Sequence, residues 1–426
     1  MQRVRLQELD LQSYLRPGDG VVISQGTAEP RTLTEALLTQ SGSVRDLSVF
    51  LGGGSFSGTF TPERTGGHRF LGYGGVGDHR RLIQCGAMDI IPAHVSSLPT
   101  LIGREVRCDV AMIQVGGPRS DGSFSYSLSA DYTAEAVTKA RVVFAELNRN
   151  APVTYCDATL DAAQIDVLIE TERDLIQMPS AAVTELDRAI AANIAQFIGD
   201  RSTLQIGYGA ILEAIIATLG DRKDLGLHTG VIGDSVVGLI ERGVISNVYK
   251  EVAAGVSVTG ALWGTDRLYD FVDQNSSVRL CGIKQTHAPG VLAQLTRLVT
   301  INSAIEVDLT GQVNAEQVGS DYIGAIGGQV DFVRAGARAP AGASIIALGS
   351  TARGGAVSKI VARLAGPVTT ARSDVDIIAT EHGAVRLKGC SLRERVQRMI
   401  GLADERFREE LAHAAWTLYG VRASAA

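Results

Sequence analysis

The chain has 426 residues, of which 45% are hydrophobic and 20% are charged, and its formal net charge at pH 7 is −6. This length exceeds what one hydrophobic core ordinarily serves, so two domains are expected. The acidic balance argues against a nucleic-acid partner, because phosphate binding usually needs a basic face. No apolar run approaches the length of a membrane span, and the N-terminal residues show no apolar signal segment, so no membrane association is expected.

The five cysteines are odd in number, scattered and without C-x-x-C spacing: Cys85, Cys108, Cys156, Cys281 and Cys390. This pattern argues against a disulfide framework and against a zinc site, and it is typical of a reducing compartment. We therefore predict a cytoplasmic protein without a bound metal.

Short runs rich in Val, Ile and Leu, bounded by Gly, Asp or Ser, alternate with longer helical patterns along the chain. Continuous apolar strands separated by helices are typical of a parallel sheet covered on both faces, so the predicted fold class is α/β. The predicted strands are Gly20–Ser24, Leu47–Leu51, Val110–Val115, Arg141–Glu146, Leu204–Ile206, Ile345–Leu348 and Val375–Thr380.

The spacing of apolar residues predicts helices between these strands. They are Thr32–Leu38, Thr133–Lys139, Glu185–Gly199, Ile211–Leu219, Asp234–Arg242, Ala356–Leu364 and Leu392–Leu418. Asp234 is predicted to cap the fifth of them. The Ser- and Gly-rich segment 120–129 is predicted to be a surface loop.

Two segments of the chain share a weak internal similarity. The segments 18–30 and 202–211 both read as a strand, a glycine turn and the start of a helix. They indicate two related α/β halves, with the first domain at 1–183 and the second at 184–426.

Two glycine segments offer backbone donors. Gly207 and Gly209 follow a predicted strand and open a helix, where N–H groups can reach an anionic oxygen, although a tight turn explains them equally well. Gly327, Gly328 and Gln329 form a second such segment, and a thioester carbonyl needs donors of this kind when its oxygen becomes an oxyanion.

Polar residues also follow strands in the second half. Arg353, Gly354 and Lys359 are candidates for contact with phosphates, the alternative being a turn with solvated cations. Asn302 follows a strand-like run, and its alternative role is to cap the strand end. Glu381 follows another strand, where a carboxylate is well placed for function or for a salt bridge.

Four segments together resemble the acetyl-CoA hydrolase / 4-hydroxybutyrate CoA-transferase family: Ile301–Asn314, Gly327–Phe332, Ser350–Gly355 and Thr380–Gly383. The resemblance extends over nearly the whole chain. It implies two open, mostly parallel NagB/RpiA-like domains with the active site between them, often in a homodimer. It also implies coenzyme A as the substrate's carrier, Gly209 and Gly328 near the thioester, and active-site roles for Asn302 and Glu381.

One position departs from the family pattern. The family usually reads His-Thr-Glu where this chain has His228, Thr229 and Gly230, and the resemblance implies that the absent Glu is the covalent nucleophile. Glycine has no side chain and cannot form an acyl anhydride or a thioester. Glu29, Glu63 and Glu381 are candidate substitutes, and His228 is a candidate base, although a lone His after an apolar strand is more often structural.

Three functions remain open from the sequence. The first is a CoA-transferase that moves CoA between small carboxylic acids such as 4-hydroxybutyrate, acetate or itaconate. The second is an acyl-CoA hydrolase, or an acyltransferase to an amine or alcohol, in which the acceptor attacks the thioester directly. The third is a non-catalytic acyl-CoA-binding protein, which we rank last because the other motifs are kept in detail.

Overall fold

The computed structural model describes residues 1–40, 42 and 44–422. The first half of the chain builds one sheet of eight strands, and every neighbouring pair in it is parallel. In spatial order the strands are Gln2–Arg3, Val167–Thr171, Val142–Asn148, Val110–Val115, Gly20–Ile23, Ser48–Phe50, Arg69–Gly72 and Met88–Ile90.

Both faces of this sheet are covered, as the apolar strand pattern predicts. All six residues of Val110–Val115 are buried. Met112 belongs to one hydrophobic cluster and its neighbours Ala111 and Ile113 belong to another, because successive side chains point to opposite faces of a sheet. The prediction of a doubly covered parallel sheet is confirmed.

The second half builds a sheet of six strands. In spatial order they are Gly226–Leu227, Thr203–Gln205, Leu298–Ser303, Ala343–Ala347, Ile377–Thr380 and Gly383–Arg386. Only the last pair is antiparallel. Parallel strands bring their carboxyl ends to one edge, and this carboxyl edge carries the loops discussed below.

Smaller strands complete the fold. A parallel sheet of Tyr155–Cys156, Val278–Leu280 and Ser257–Thr259 joins the two halves. Short sheets pair Gly54–Ser55 with Val76–Gly77, Val231–Ile232 with Ala261–Leu262, Gln317–Val318 with Asp321–Tyr322, and Thr351–Ala352 with Val357–Ser358; a last one joins Val313–Asn314, Glu306–Asp308 and Ile360–Val361.

The helices in chain order are α1 (Arg31–Gln40), α2 (His79–Gln84), α3 (Leu98–Leu101), α4 (Thr133–Lys139), α5 (Glu185–Ala195), α6 (Ala210–Ala217), α7 (Ser235–Glu241), α8 (Asp266–Val272), α9 (Ile283–Thr286), α10 (Pro289–Leu292), α11 (Gln329–Arg338), α12 (Leu392–Leu402) and α13 (Glu405–Tyr419). In the described part of the chain, every helix falls short of the length and apolar character needed to cross a bilayer.

Two predicted helices are wrong. The segment 356–364 contains the strands Val357–Ser358 and Ile360–Val361, because its β-branched residues pair with neighbouring strands instead of continuing a helix. The single long helix predicted for 392–418 is two helices. It breaks at Ala403 and Asp404, and the Asp404 side chain accepts from the Arg406 N–H to begin α13.

Two further predictions need correction. The segment 120–129 is not a surface loop throughout, since Phe124 and Ser125 are buried and bridge to other segments. Asp234 precedes α7 but its side chain does not cap that helix. Its carboxylate instead accepts hydrogen bonds from the N–H and hydroxyl of Thr265, at 2.9 and 2.8 Å.

Candidate active site

A cavity of about 200 Å³ lies between the two halves, and we call it the cleft cavity. From the first half it is lined by Gln25, Gly53, Tyr73, Val76, Val95 and Asp131. From the second half it is lined by Gly230, Val231, Ala261, Trp263, Ile283, His287, Ala325, Gly327 and Gly328. The cavity therefore brings together Gly230 and the predicted donor segment at Gly327 and Gly328.

The start of α11 supplies donors on the second-half side. Gly327 has a φ of +57°, which favours glycine, and Gly328 is the residue before the helix. The first N–H groups of a helix have no partner inside it, and the helix dipole is positive there. This end of α11 is therefore suited to an oxygen that gains negative charge.

Gly230 is held by its backbone next to these donors. Its carbonyl accepts from the N–H groups of both Gly260 and Ala261 at 3.1 Å. A Cβ atom at position 230 would lie 2.9 Å from Cε1 and 3.0 Å from Nε2 of His287. The space that a side chain at 230 would enter is thus filled by an imidazole.

Gly328 also lies against this imidazole. A Cβ atom on Gly328 would lie 2.5 Å from Nε2 and 2.7 Å from Cδ2 of His287. The ring also contacts Phe332, with centroids 4.7 Å apart. His287 therefore occupies a slot between two glycines, which we call the glycine slot, and neither Gly230 nor Gly328 has room for a larger residue there.

The position of His287 is fixed by the short helix α9. The Ile283 N–H donates to the Asp131 carbonyl at 3.2 Å, and the His287 N–H donates to the Ile283 carbonyl at 2.9 Å. His287 is 6% exposed. Burial, reinforced by the neighbouring His228, lowers the pKa of His287 to about 3, so the imidazole is neutral at physiological pH.

A polar network forms the first-half wall. The Tyr73 hydroxyl and the Gly53 N–H donate to Oε1 of Gln25 at 2.9 and 2.7 Å, and the Gln25 amide donates to Asp131. The other Asp131 oxygen accepts from the N–H and hydroxyl of Thr133. Burial raises the pKa of Asp131 against these hydrogen bonds, which favours its uncharged form.

Gly207 and Gly209 do not line the cleft cavity, although their loop approaches it. Between them, the Tyr208 ring packs edge-on against Trp263, which lines the cavity, with centroids 6.3 Å apart. Gly209 has a φ of +131° and precedes α6, and a Cβ atom there would meet no described atom within 4 Å.

Asn302 lies within the strand Leu298–Ser303, at the carboxyl edge of the second sheet. Its amide exchanges hydrogen bonds with that of Gln205, at 3.0 and 3.4 Å. The Gln329 amide donates to the Ser303 carbonyl at 3.3 Å. The start of α11 is therefore attached to the edge on which Asn302 lies.

Glu381 lies farther along the same edge and does not line the cleft cavity. It accepts from the N–H and hydroxyl of Ser350, at 2.8 and 2.6 Å, and His382 lies 3.7 Å away. Burial lowers the pKa of Lys359, and the nearby Glu381 carboxylate acts in the opposite direction. Ser350, Lys359 and Glu381 thus form one polar cluster.

Arg353 and Gly354 lie in the hairpin turn between Thr351–Ala352 and Val357–Ser358. Both are exposed and have positive φ values, +51° and +65°. The turn therefore presents a guanidinium to solvent, three residues after Ser350 of the polar cluster.

The candidate substitute Glu29 is buried and 2% exposed, outside the residues that line the cleft cavity. Its carboxylate accepts from the hydroxyls of Ser55, Ser57 and Thr34, at 2.8, 2.9 and 3.0 Å. Burial raises the Glu29 pKa in spite of these hydrogen bonds.

The other two candidates are also outside the cavity lining. Glu63 is exposed in a 3₁₀ turn, Pro62–Arg64. His228 is buried, and its Nε2 contacts the carbonyls of Gln285 and Thr286 at 3.2 Å each, so this nitrogen carries the proton. Burial, then the nearby Lys250, lower the pKa of His228 to about 4.

Sequence reasoning missed His287 and Asp131 as cavity residues. Neither residue carries a specific signal in the sequence: Asp131 comes shortly after the Ser- and Gly-rich segment 120–129, and His287 follows a four-residue helix without a motif of its own. What singles out His287 is its contact with Gly230 and Gly328, which lie far from it in the chain.

Two family profiles match the chain. The acetyl-CoA hydrolase/transferase N-terminal domain matches residues 75–178, and the acetyl-CoA hydrolase/transferase C-terminal domain matches residues 264–415. A 4-hydroxybutyrate coenzyme A transferase of Clostridium kluyveri is 36% identical over 397 residues, which cover 92% of each chain.

Solved structures agree with the fold. RipA from Yersinia pestis superposes with a TM-score of 0.92 at 32% identity, covering 98% of this chain and 97% of that one. A 4-hydroxybutyrate CoA-transferase from Porphyromonas gingivalis superposes with a TM-score of 0.83 at 29% identity, covering 98% of both chains. The chain belongs to the acetyl-CoA hydrolase/transferase family.

Proposed function

We propose that this chain binds an acyl-CoA with the thioester in the cleft cavity and passes the acyl group directly to a small acceptor. Water is the simplest acceptor, so the proposed activity is acyl-CoA hydrolysis. The observation that carries the proposal is the filled glycine slot: position 230 has no side chain, and His287 occupies the space where one would act.

Capture of the acyl group on the chain would need a free carboxylate at the acyl carbon. Among the described residues that line the cleft cavity, Asp131 is the one carboxylate. Both of its oxygens are already engaged, since one accepts from the Gln25 amide and the other accepts from the N–H and hydroxyl of Thr133. The attacking atom is therefore assigned to a molecule from solution.

The start of α11 supports this assignment. A thioester carbonyl placed beside Gly328 faces N–H groups that lack partners within the helix. These donors stabilise the tetrahedral oxyanion more than the uncharged carbonyl, and the loss of one such donor typically costs about 10²–10³-fold in rate. A cavity of about 200 Å³ suits a small acyl group.

The remainder of coenzyme A is proposed to lie along the carboxyl edge of the second sheet. Lys359 and the exposed Arg353 supply positive charge there, and Gly354 permits close approach of a phosphate. Asn302 and Glu381 lie on the same edge and are proposed to contact the pantetheine arm. A homodimer and a cytoplasmic location stay predictions.

A second candidate is CoA transfer between small carboxylic acids. It is favoured by the 36% identity to the Clostridium kluyveri transferase over 92% of both chains. It requires a carboxylate on this chain to accept the acyl group, and Asp131, Glu29, Glu63 and Glu381 are the residues to examine.

Oxygen tracing separates the two candidates. The purified chain is incubated in ¹⁸O-labelled water with acetyl-, butyryl- and 4-hydroxybutyryl-CoA, with and without added acetate. Products are resolved by chromatography, because the exposed Cys85 would react with a thiol reagent. Hydrolysis predicts one ¹⁸O in each released acid, no need for acetate and no change in the mass of the intact protein.

An adduct trapped on an Asp or Glu, or acetyl-CoA formed from butyryl-CoA only when acetate is added, would contradict the proposal and support transfer. Glu63→Gln removes one of the four candidate carboxylates, which is exposed and outside the cavity lining. It is expected to keep the wild-type rate under direct attack.

A further inference from the structure

The imidazole of His287 directs an unpartnered nitrogen into the glycine slot. Its Nδ1 lies 2.7 Å from the Thr286 hydroxyl, while no described protein atom hydrogen-bonds to Nε2. Nε2 lies against the α-carbons of Gly230 and Gly328, at the point where the cleft cavity meets the start of α11. An unpaired nitrogen on a buried side chain points to a ligand or a reacting water at this place.

The Thr286 hydroxyl contacts both the ring of His287 and the backbone of α9. Thr286 ends α9, and its hydroxyl donates to the Gly282 carbonyl, as threonines in helices commonly do four residues back. In the tautomer that carries its proton on Nδ1, the ring donates to the Thr286 hydroxyl oxygen at 2.7 Å and Nε2 keeps its lone pair. A base at Nε2 requires this tautomer, and His287 lines the cavity.

We propose that His287 is the catalytic base of this enzyme, and that Nε2 accepts the proton of the acceptor molecule that attacks the thioester. The proposal rests on the proposed function and adds the residue that performs it. In this chain the base enters from α9, through the space left open by glycine at position 230.

Hydrolysis then proceeds in two stages. The water oxygen bonds to the acyl carbon while its proton passes to Nε2, and the carbonyl oxygen becomes an oxyanion at the start of α11. The C–S bond then breaks, its electron pair stays on sulfur, and the sulfur takes the proton from Nε2. The products are a carboxylic acid and the free thiol of coenzyme A.

The surroundings of His287 match this cycle. The neutral ring keeps its lone pair available before attack, and the oxyanion that forms beside it raises its affinity for a proton. Among the described residues, the titratable groups near the ring are Asp131, which also lines the cavity, and His228. Phe332 holds the ring face at 4.7 Å between centroids, so the slot keeps Nε2 in place.

The test compares His287→Asn and His287→Ala with the exposed His413→Ala as the control. General-base catalysis typically contributes about 10²–10⁴-fold, so we expect kcat for butyryl-CoA hydrolysis to fall by at least about 100-fold in both His287 variants. The Kd of a non-hydrolysable thioether analogue of butyryl-CoA is expected to stay within about threefold, since Asn fills the slot without accepting a proton.

Chemical rescue distinguishes a base from a residue that only fills space. His287→Ala leaves a void of imidazole size, and added imidazole is expected to restore CoA release, with a rate that follows the fraction of unprotonated imidazole across pH 5–8. Unchanged kcat in His287→Asn, or no rescue of a folded His287→Ala protein that still binds the analogue, would overturn the proposal. A wild-type protein that releases no CoA into water would instead overturn the proposed function itself, and this role with it.

Discussion

A methyl group added at position 230 tests whether the side chains at positions 230 and 287 compete for the same space. The new Cβ would lie 2.9 Å from Cε1 of His287, whereas carbon atoms in good contact lie about 3.5–4.0 Å apart. The overlap is therefore about 0.6–1.1 Å, and overpacking of this kind typically costs about 1–3 kcal/mol. Gly230→Ala is expected to lower the free energy of unfolding by that amount.

The assay is a double-mutant cycle with His287→Ala, read by urea unfolding followed through tryptophan fluorescence and circular dichroism. The overlap disappears when the imidazole is absent, so the double variant should lose less stability than the two single variants together, by about 0.5–3 kcal/mol. Gly401→Ala is the matched control. Gly401 lies in α12 with no described atom within 4 Å of an added Cβ, and alanine there should stabilise by up to about 1 kcal/mol.

Additive losses at positions 230 and 287, within about 0.5 kcal/mol, would refute the glycine slot. The same cycle bears on a carboxylate introduced at position 230. The Gly230→Glu variant should gain no CoA-transferase activity, because His287 fills the space that the new side chain would need. The double variant Gly230→Glu/His287→Ala makes that space available.

Three further predictions follow from other parts of the structure. Gly328→Ala should lower kcat for acyl-CoA hydrolysis by at least about tenfold in steady-state assays, because its Cβ would lie 2.5 Å from Nε2 of His287 and displace the ring or the start of α11; wild-type turnover would contradict the site. Lys359→Ala and Arg353→Ala should each raise KM for acyl-CoA by about 10-fold with less effect on kcat. An unchanged KM in both variants would contradict the proposal that the phosphates of coenzyme A bind at this edge of the sheet. Burial lowers the pKa of Lys250 from 10.5 to about 7, so the unfolded chain holds a proton that the folded chain lacks between these values, and the free energy of unfolding should rise with pH across that range. Lys250→Met should flatten this rise, while the control Lys284→Met, at an exposed lysine, should keep it. Equal free energies of unfolding for the wild type at pH 7.5 and 9.5, measured by urea titration, would contradict this prediction.

Much of the fold could be read from the sequence, because it depends on local patterns. The run Val110–Val115 is apolar throughout and bounded by turns, and it is a buried strand with the predicted bounds. Helix α4 also has its predicted bounds, Thr133–Lys139. Periodicity fails where tertiary pairing decides, and Ile360 joins a strand at Val307 although its segment has a helical spacing.

The candidate site was only partly accessible to the same reasoning. Gly230 and Gly328 were both singled out, and the structure brings them to one cavity. The residue between them could not be found, because no local pattern tells that an imidazole from α9 fills the space beside two distant glycines.

The central claim is that the acyl carbon of the substrate lies in the cleft cavity, between the start of α11 and His287. A crystal structure with a non-hydrolysable ketone analogue of butyryl-CoA, in which CH₂ replaces the thioester sulfur, tests it most directly. We expect the analogue's carbonyl oxygen to accept a hydrogen bond from the backbone N–H of Gly328, with its carbonyl carbon facing Nε2 of His287. An acyl group bound beside Glu381 and Lys359, with the cleft cavity left to solvent, would contradict it.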